Sequence, residues 1–443
     1  MKKFLPQLRD FVHRADMFLF TMSVICALYG IVVIASATKS YENGSAQFVI
    51  VQTLALVLGI LLFIAMTVID VDIFAQHWTW LYGLSALLLL SLIPFGAVSD
   101  TGNNGWLRFF GIGIQPTEIV KLAFIIVLAK QLAYLKDYKN LNSVTSVAQI
   151  VGHFILMFGL ILVTAQDLGS ALVYFFIFAV MLFVAGVKIY WFIMGAAAIV
   201  CMVPIFWTYF LEDYQRNRIL APYDSSIDPD NTGINWQQNQ SKIALASGQL
   251  TGTGLGEGTQ SQSNAIPGKH TDFIFAVIGE ELGLVGALFV IGLFFCVLYA
   301  GLAIAERAAD DIGAMIAGGA TVMLVFQAFL NIACVIGVFP TTGKPLPFIS
   351  SGGTSMIASF ILVGLVLSVS AAPAAPSVYE QRRADLRLVR REPAPPAPSG
   401  RTRSGESLRS RSAGASSRSG SGRIDASARS RSARPSNRSN YRR

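Results

Sequence analysis

The sequence predicts an all-α, polytopic membrane protein of about ten transmembrane helices, with a large extracytoplasmic loop and a disordered cytoplasmic tail. Three observations carry that prediction. Hydrophobic residues make up 53% of the 443-residue chain and charged residues only 14%, against roughly 25% charged in soluble domains. Apolar runs recur near the ~20 residues that a helix needs to cross a ~30 Å hydrocarbon core. Charge is also partitioned along the chain. Residues 376–443 hold 17 Arg against 5 acids, and residues 1–375 hold 17 Lys and Arg against 21 acids. The formal net charge of +8 is therefore the sum of a +12 tail and a −4 body.

Residues 1–16 are mixed in character and precede the first apolar run, so they do not read as a cleavable signal peptide. The runs lie near 17–37, 47–69, 78–98, 117–135, 147–165, 168–186, 189–211, 273–304, 312–336 and 353–372. The fourth is the most polar, with Glu118, Lys121 and Lys130 inside it. The fifth and sixth are joined tightly around Asp167. The run at 273–304 is too long for one span. Its first third carries Glu280 and Glu281 and ends at Gly283, which predicts an interfacial or re-entrant piece before the true span.

An even span count puts both termini on one side. Lys2, Lys3, Arg9 and Arg14, the loop lysines Lys136 and Lys139, and the tail arginines all fall on that side. The positive-inside rule makes it the cytoplasm. Loops 38–46, 99–116, 212–272 and 337–352 then face outward, and 212–272 is the largest. A loop of that length in a compact bundle is usually functional or disordered. Its helix-like stretch from Trp236 to Ser247 favours function. The domain plan is a cytoplasmic N-terminus (1–16), a membrane domain (17–372) and an Arg/Ser-rich tail (373–443). Such a tail cannot bury enough apolar surface to offset its chain entropy. It suits anionic inner-leaflet lipids, and nucleic acid is not an expected partner. Cys26, Cys201, Cys296 and Cys334 sit inside apolar runs without metal spacing, so they read as free thiols.

The chemistry is concentrated in the outward loops. Gln115-Pro116-Thr117-Glu118 opens a helix, with Pro suited to its first turn and an acid to its positive end. Glu118 and Lys121 share a helix face. Intramembrane charges are functional candidates by default, with a structural ion pair as the alternative. Arg108 has the fork geometry of a phosphate clamp, and Trp106 beside it reads equally as an interface anchor. The glycine-rich stretch 252–258 lacks the Lys-Ser/Thr ending of a phosphate loop, so its glycines are expected to permit tight turns. Asp272, beside Lys269 and His270, stands where polar loop becomes apolar helix. Partial desolvation there raises a carboxylate's pKa and makes it a better base. The alternative is a helix N-cap. Asp167 reads mainly as a cap. Glu280 and Glu281 are candidates for a divalent metal ion or an activating partner, with a structural role as the alternative. Loop 337–352 mixes prolines, glycines and hydroxyls, which fits a cavity lip, and its Lys344 is a candidate for an anionic headgroup.

These segments resemble the SEDS family (shape, elongation, division and sporulation; the FtsW, RodA and SpoVE proteins) over about residues 17–372. The most specific pieces are Lys269-His270-Thr271-Asp272-Phe273-Ile274-Phe275-Ala276 through Gly279-Glu280-Glu281-Leu282-Gly283, and Pro345-Leu346-Pro347-Phe348 with Ser351-Gly352-Gly353. Gln166-Asp167-Leu168-Gly169 and Gln240-Ser241 with Gly248 support them. The resemblance implies a peptidoglycan glycosyltransferase that polymerises lipid II into β-1,4 glycan strands at the outer face of the cytoplasmic membrane, during division or elongation. Undecaprenyl pyrophosphate is the implied leaving group. The family's essential acid falls on Asp272, as general base, and its outward-loop Trp on Trp106. Arg108, Glu118, Lys121, His270, Lys344 and Ser351 complete the substrate-binding candidates. The implied partners are a class B penicillin-binding protein, which supplies transpeptidation, and other divisome or elongasome proteins. The metal requirement stays open, with a divalent metal ion as one possibility. The chain departs from the family at Gly268-Lys269, where Pro-Glu is usual, and at Ser351, where an aromatic is usual. The Gly-Leu-Gly run at 254–256 and the long tail favour the FtsW branch, which is preferred. Gly-Thr-Gln-Ser at 258–261 favours RodA. A lipid II flippase and a non-catalytic scaffold are the rival classes.

Overall fold

The computed structural model describes residues 15–41, 45–68, 73, 76–97, 104–109, 112–209, 211, 213–224, 226–230, 233–263 and 265–371. The described residues belong to one compact unit, Met1–Pro376, and Ser377–Arg443 is a second unit. The readings made of residues 1–14 and of the tail lie outside the described residues.

The apolar runs become helices almost residue for residue. They are α1 (Met17–Ala37), α2 (Ala46–Val68), α3 (Trp78–Leu90) continued by the single turn α4 (Leu92–Phe95), α5 (Pro116–Tyr138), α6 (Val144–Thr164), α7 (Leu168–Ala185) and α8 (Ile189–Tyr209). After the large loop come α13 (Gly283–Glu306), α14 (Asp311–Val335) and α15 (Gly353–Ala371). Among the described residues nine helices are apolar and long enough to cross a bilayer. The tenth, α5, spans 23 residues but carries Glu118, Lys121, Lys130, Lys136 and Asp137. It tolerates these because most of its length is buried inside the bundle, against α3, α7 and α14. At the other extreme α8 buries none of its residues, as expected of an apolar helix whose solvent is lipid. Its last carbonyls, on Trp207 and Thr208, accept from the Arg216 guanidinium at 2.9 and 3.1 Å, a side-chain cap on a helix end.

The all-α expectation holds, with one small sheet beside the helices. Gly96–Ala97 (β1), Trp106–Phe109 (β2) and Ile112–Ile114 (β3) form a small antiparallel sheet in the order β1-β2-β3. Strands of two to four residues are too short to show a period of two in sequence.

The large loop is folded. It contains α9 (Asp213–Leu220), α10 (Trp236–Ser247) and α11 (Thr259–Gln262), then leads into α12 (Ile274–Glu281). The long run at 273–304 breaks as expected, at Leu282 and Gly283, where Gly283 has φ +65°. The break exposes helix-end groups, and the loop satisfies them. Thr253 and Gly254 N–H donate to the carbonyls of Glu280 and Glu281 at 2.9 and 3.0 Å. Leu284 and Val285 N–H donate to Gln249 and Leu250 at 2.9 and 3.2 Å. Each pairing serves an orphan group of a helix terminus. The chain must pass very close to do this. Gly252 has φ +84°, and a Cβ there would overlap the Glu281 carbonyl oxygen. Gly252→Ala should therefore cost about 1–3 kcal/mol, read as a lower thermal midpoint. An unchanged midpoint would show that the clasp can open freely.

Candidate active site

Two buried ion pairs prepare the site. Asp167 ends the tight α6–α7 connection and caps α7, its carboxylate accepting from Ser170 N–H at 3.0 Å and from Ser170 Oγ–H at 2.8 Å. The cap reading was right but incomplete. The same carboxylate accepts from Lys344 Nζ at 2.6 Å, with both side chains 3% exposed or less. Gly169 makes room for this approach, since a Cβ there would come within 3.1 Å of Lys344 Cε. Burial works against the Lys344 charge, but the Asp167 and Glu118 carboxylates outweigh it and hold the ammonium above its ordinary pKa. Burial likewise opposes the Asp167 charge, and Lys344 with the Ser170 donors outweighs it, so that carboxyl lies below its ordinary value.

The second pair is Glu118 and Lys121, one turn apart on α5, 2.7 Å from each other and buried. Lys121 also donates to Gln327 Oε1 at 2.8 Å, and Gln327 Nε2 donates to the Pro345 carbonyl at 3.1 Å. Thus α5, α14 and loop 337–352 are tied together by one polar chain inside the bundle. Glu118 and Lys121 hold the loop and meet no open cavity. They support the site from behind.

The loop in turn grips the motif containing Asp272. Asn331 Nδ2 donates to the backbone carbonyls of Asp272 and Lys344 at 2.7 and 2.8 Å. Ser350 Oγ–H donates to the Thr271 carbonyl at 2.7 Å, and Ser351 N–H donates to the His270 carbonyl at 2.9 Å. Ser351 thus takes part through its backbone. Lys269 is buried, donating to Ser40 Oγ and to the Ser261 and Ser263 carbonyls at 2.8, 2.6 and 3.2 Å. His270 Nδ1 lies 3.1 Å from Tyr41 Oη, and its ring packs edge-on to Phe48. Burial, then the neighbouring Lys269, hold its pKa below the ordinary value. The imidazole is therefore neutral near pH 7.

Asp272 is not a helix cap. Residue 273 occupies the N-cap position of α12 and makes no side-chain cap bond, and the Asp272 carboxylate makes no hydrogen bond among the described residues. Instead it lines a cleft with Arg218, Gln237, Asn331, Cys334, Thr341, Thr342, Gly343 and Lys344. Gly343, at φ +65°, lies over it, and a Cβ there would sit 3.6 Å from Asp272 Oδ2. Burial pushes the Asp272 pKa up to about 6, with Lys344 and Arg218 pulling down and Asp167 pushing up by smaller amounts. The cleft is about 20 Å³, about the room one water needs.

Arg218, Asn331 and Gln327 were not singled out from sequence. Gln327 and Asn331 had a signal, since two amides four apart in an apolar run share a helix face. Arg218 had none. It reaches the site because the large loop docks on loop 337–352. Gln238 Nε2 donates to the Cys334 and Phe339 carbonyls at 2.7 and 2.8 Å, and Arg218 Nε to Thr341 Oγ1 at 3.2 Å. Trp106 and Arg108 stand apart from this cleft. Trp106 lies across the hairpin, within 3.1 Å of where a Gly113 Cβ would be, and Arg108 is exposed. The hairpin touches the start of α15 through Thr354 Oγ1, which donates to the Gly113 carbonyl at 3.2 Å. Glu280 and Glu281 are structural. Glu280 accepts from Gln260 and Ser261 N–H at 2.8 and 2.7 Å. Glu281 accepts from Ser261 Oγ–H and Gln262 Nε2 at 2.9 Å each, and from Ser36 Oγ–H. Their oxygens are spent on donors, so they do not suit a metal. Among the described residues no three His, Cys, Asp or Glu side chains converge on a metal position, and Asp272 faces cationic side chains instead.

Known proteins share this arrangement of elements. The FtsW/RodA/SpoVE family model, described as cell cycle protein, matches residues 16–374. A probable peptidoglycan glycosyltransferase FtsW of Geobacter metallireducens is 36% identical over 368 residues, covering 81% of this chain and 95% of that protein. The peptidoglycan glycosyltransferase MrdB of Escherichia coli K12 is 33% identical over 312 residues, covering 70% and 82%. A chain from a peptidoglycan synthase complex, solved for its coordination of polymerization and crosslinking, superposes with a TM-score of 0.68 at 29% identity, covering 80% of this chain and 97% of that one. The Thermus thermophilus rod shape determining protein RodA superposes at 0.60 with 26% identity, covering 80% and 96%. With a multi-pass bundle, a family match across its whole membrane part and relatives above 30% identity, the chain belongs to the FtsW/RodA/SpoVE family of cell cycle proteins.

Proposed function

We propose that this chain polymerises lipid II at the outer face of the cytoplasmic membrane, with Asp272 as general base. The class of activity, peptidoglycan glycosyltransferase, follows from family membership and from the curated relatives of that name. The observation that carries the mechanism is a carboxylate without a hydrogen-bond donor, raised towards pH 6, in a cleft walled by Arg218 and Lys344.

In this reading the acceptor sugar's 4-hydroxyl enters where the cleft has room for one water, and the sugar ring stays outside. Asp272 takes the hydroxyl proton. The oxygen attacks the anomeric carbon of the donor chain with inversion, and undecaprenyl pyrophosphate leaves with the bonding electrons. Arg218 is exposed enough to meet the pyrophosphate. Lys344, committed to Asp167, contributes mainly its field. Trp106 and Arg108 on the hairpin suit the headgroup or sugars rather than the reacting atoms. Orientation follows from charge. Lys136 and Lys139 lie at the far end of α5 from Glu118, so the positive-inside rule puts the Asp272 end outside. A class B penicillin-binding protein is the expected partner, in line with the synthase complex that the fold resembles. A flippase needs charged groups along a path open to both faces. Here Lys344 is paired with Asp167 and Lys121 with Glu118 in the interior, and Arg218 lines the cleft with Asp272, which favours polymerisation.

Purified protein with its partner synthase and labelled lipid II tests this. Muramidase-sensitive polymer is expected, and its absence under all conditions would return weight to transport or scaffolding. The pH profile is a second test. The base acts ionised, so the rate should fall as pH drops through about 6, to about a tenth of its plateau one unit below. A profile flat from pH 5 to 7 would remove Asp272 from the base role.

A further inference from the structure

A second cavity, of about 410 Å³, lies between α3, α5 and α6, far from Asp272. Its walls are Trp78 and Tyr82 on α3, Val127, Lys130, Gln131 and Tyr134 on α5, and Gln149 and His153 on α6. Lys130 is twelve residues beyond Glu118 on the same helix, which is about 18 Å along its axis. The volume is that of a site for a sizeable ligand.

The wall has one free charge. His153 Nδ1 is 2.7 Å from Gln131 Oε1, and Gln131 Nε2 donates to the Gln149 carbonyl at 3.3 Å, while His153 Nε2 is buried without a hydrogen-bond partner among the described residues. Of the other lysines on this end of α5, Lys136 pairs with Asp311 at 2.6 Å and Lys139 lies over the Tyr134 ring at 6.0 Å. Among the described residues Lys130 has neither an ion pair nor a hydrogen bond. It also lies four residues before Tyr134 on α5, about 6 Å along the axis. A lone ammonium there calls for an anion. The rest of the wall is aromatic and aliphatic. Trp78 and Tyr134 are 45% and 50% exposed, so the cavity opens at the surface of the bundle. Trp and Tyr are the side chains that favour headgroup level. An anion with a long apolar body satisfies both halves of the site.

We propose that this cavity binds a phosphate-bearing lipid, with its phosphate on Lys130 near the level of Tyr134 and its chain along Tyr82 and Val127. Two lipids offer that chemistry, an anionic glycerophospholipid of the membrane and a polyprenyl phosphate. The full-length protein in neutral detergent would be titrated with dioleoylphosphatidylglycerol, with undecaprenyl phosphate, and with dioleoylglycerol as the phosphate-free control. Bound lipid would be counted by native mass spectrometry. At least one phosphate lipid should bind, Lys130→Gln should weaken it about tenfold, and Lys130→Arg should keep most of the binding. The lipid that shows this dependence is the resident class. Gln149→Trp, which fills the cavity with Lys130 intact, should weaken binding as well, so the result does not hang on one variant. Binding of both phosphate lipids unchanged by Lys130→Gln and Gln149→Trp, or equal binding of dioleoylglycerol, would overturn the proposal. Lipid II polymerisation by Lys130→Gln serves as the check on folding.

Discussion

Asp272→Asn is expected to lower lipid II polymerisation by about two to four orders of magnitude, while leaving the protein at least as stable. Both halves follow from one environment. The carboxylate has no donor of its own and sits in a cleft walled by apolar atoms, two cations and amides. As a base it is poised, because a pKa near 6 leaves it ionised at pH 7 yet more basic than an ordinary carboxylate. As a structural element it is a burden. A carboxyl whose pKa is raised in the fold favours folding fully below its unfolded value, and that contribution is lost as pH rises through about 6. The neutral amide keeps the shape and removes the desolvated charge. Turnover and thermal midpoint should be measured together, with Asp272→Glu as a third protein. Polymer from Asp272→Asn at the wild-type rate would sink the assignment. An inactive variant whose midpoint also collapses would show a structural role instead.

Lys344→Met is expected to destabilise the fold by about 3–5 kcal/mol, because it strands the Asp167 carboxylate unpaired in the interior. The pair spans loop 337–352 and the α6–α7 connection, so breaking it should also loosen the grip on Asp272. Combining Lys344→Met with Asp167→Asn should restore most of the stability, since two neutral groups replace the uncompensated charge. Activity should not return to the same extent, because the field of Lys344 at the cleft is gone. The exposed pair Lys136–Asp311, with side chains 43% and 47% exposed, is the control. Lys136→Met should cost about 0–1 kcal/mol. If Lys344→Met and Lys136→Met shift the thermal midpoint alike, the interior pair is not carrying the loop. The pH dependence has a sign. Asp167, with its lowered pKa, contributes fully above its unfolded value near 3.9 and loses that only in stronger acid. Lys344, with its raised pKa, contributes fully below about 10.4 and loses that only in stronger base. Between those limits the pair should leave the midpoint flat.

The spans were legible because transfer of a helix into hydrocarbon depends on composition over about twenty residues, which is a local property. So was the break before Gly283, because acids and a glycine interrupt the apolar run at one place. Trp236–Ser247 emerged as a helix with the expected limits. The small hairpin at 96–114 was not legible, since its strands are held by partners rather than by their own pattern. Asp272 could be singled out by its position at a polar-to-apolar boundary, and the choice between cap and base was left open. The geometry answers the first half of that choice, for the N-cap position lies one residue on.

What the sequence alone determined, then, is the solvent of each segment and the residues whose chemistry is out of place there. Which charges are free to act was decided only by the tertiary structure. Lys344 and Lys121 read as substrate-binding candidates, yet both are buried against carboxylates, whereas Arg218, with no distinguishing neighbours in sequence, lines the cleft with Asp272. The reason is that charge pairing is set by distance and burial. Lys344 meets Asp167 across 177 residues of chain, and no local pattern reports a contact made at that separation.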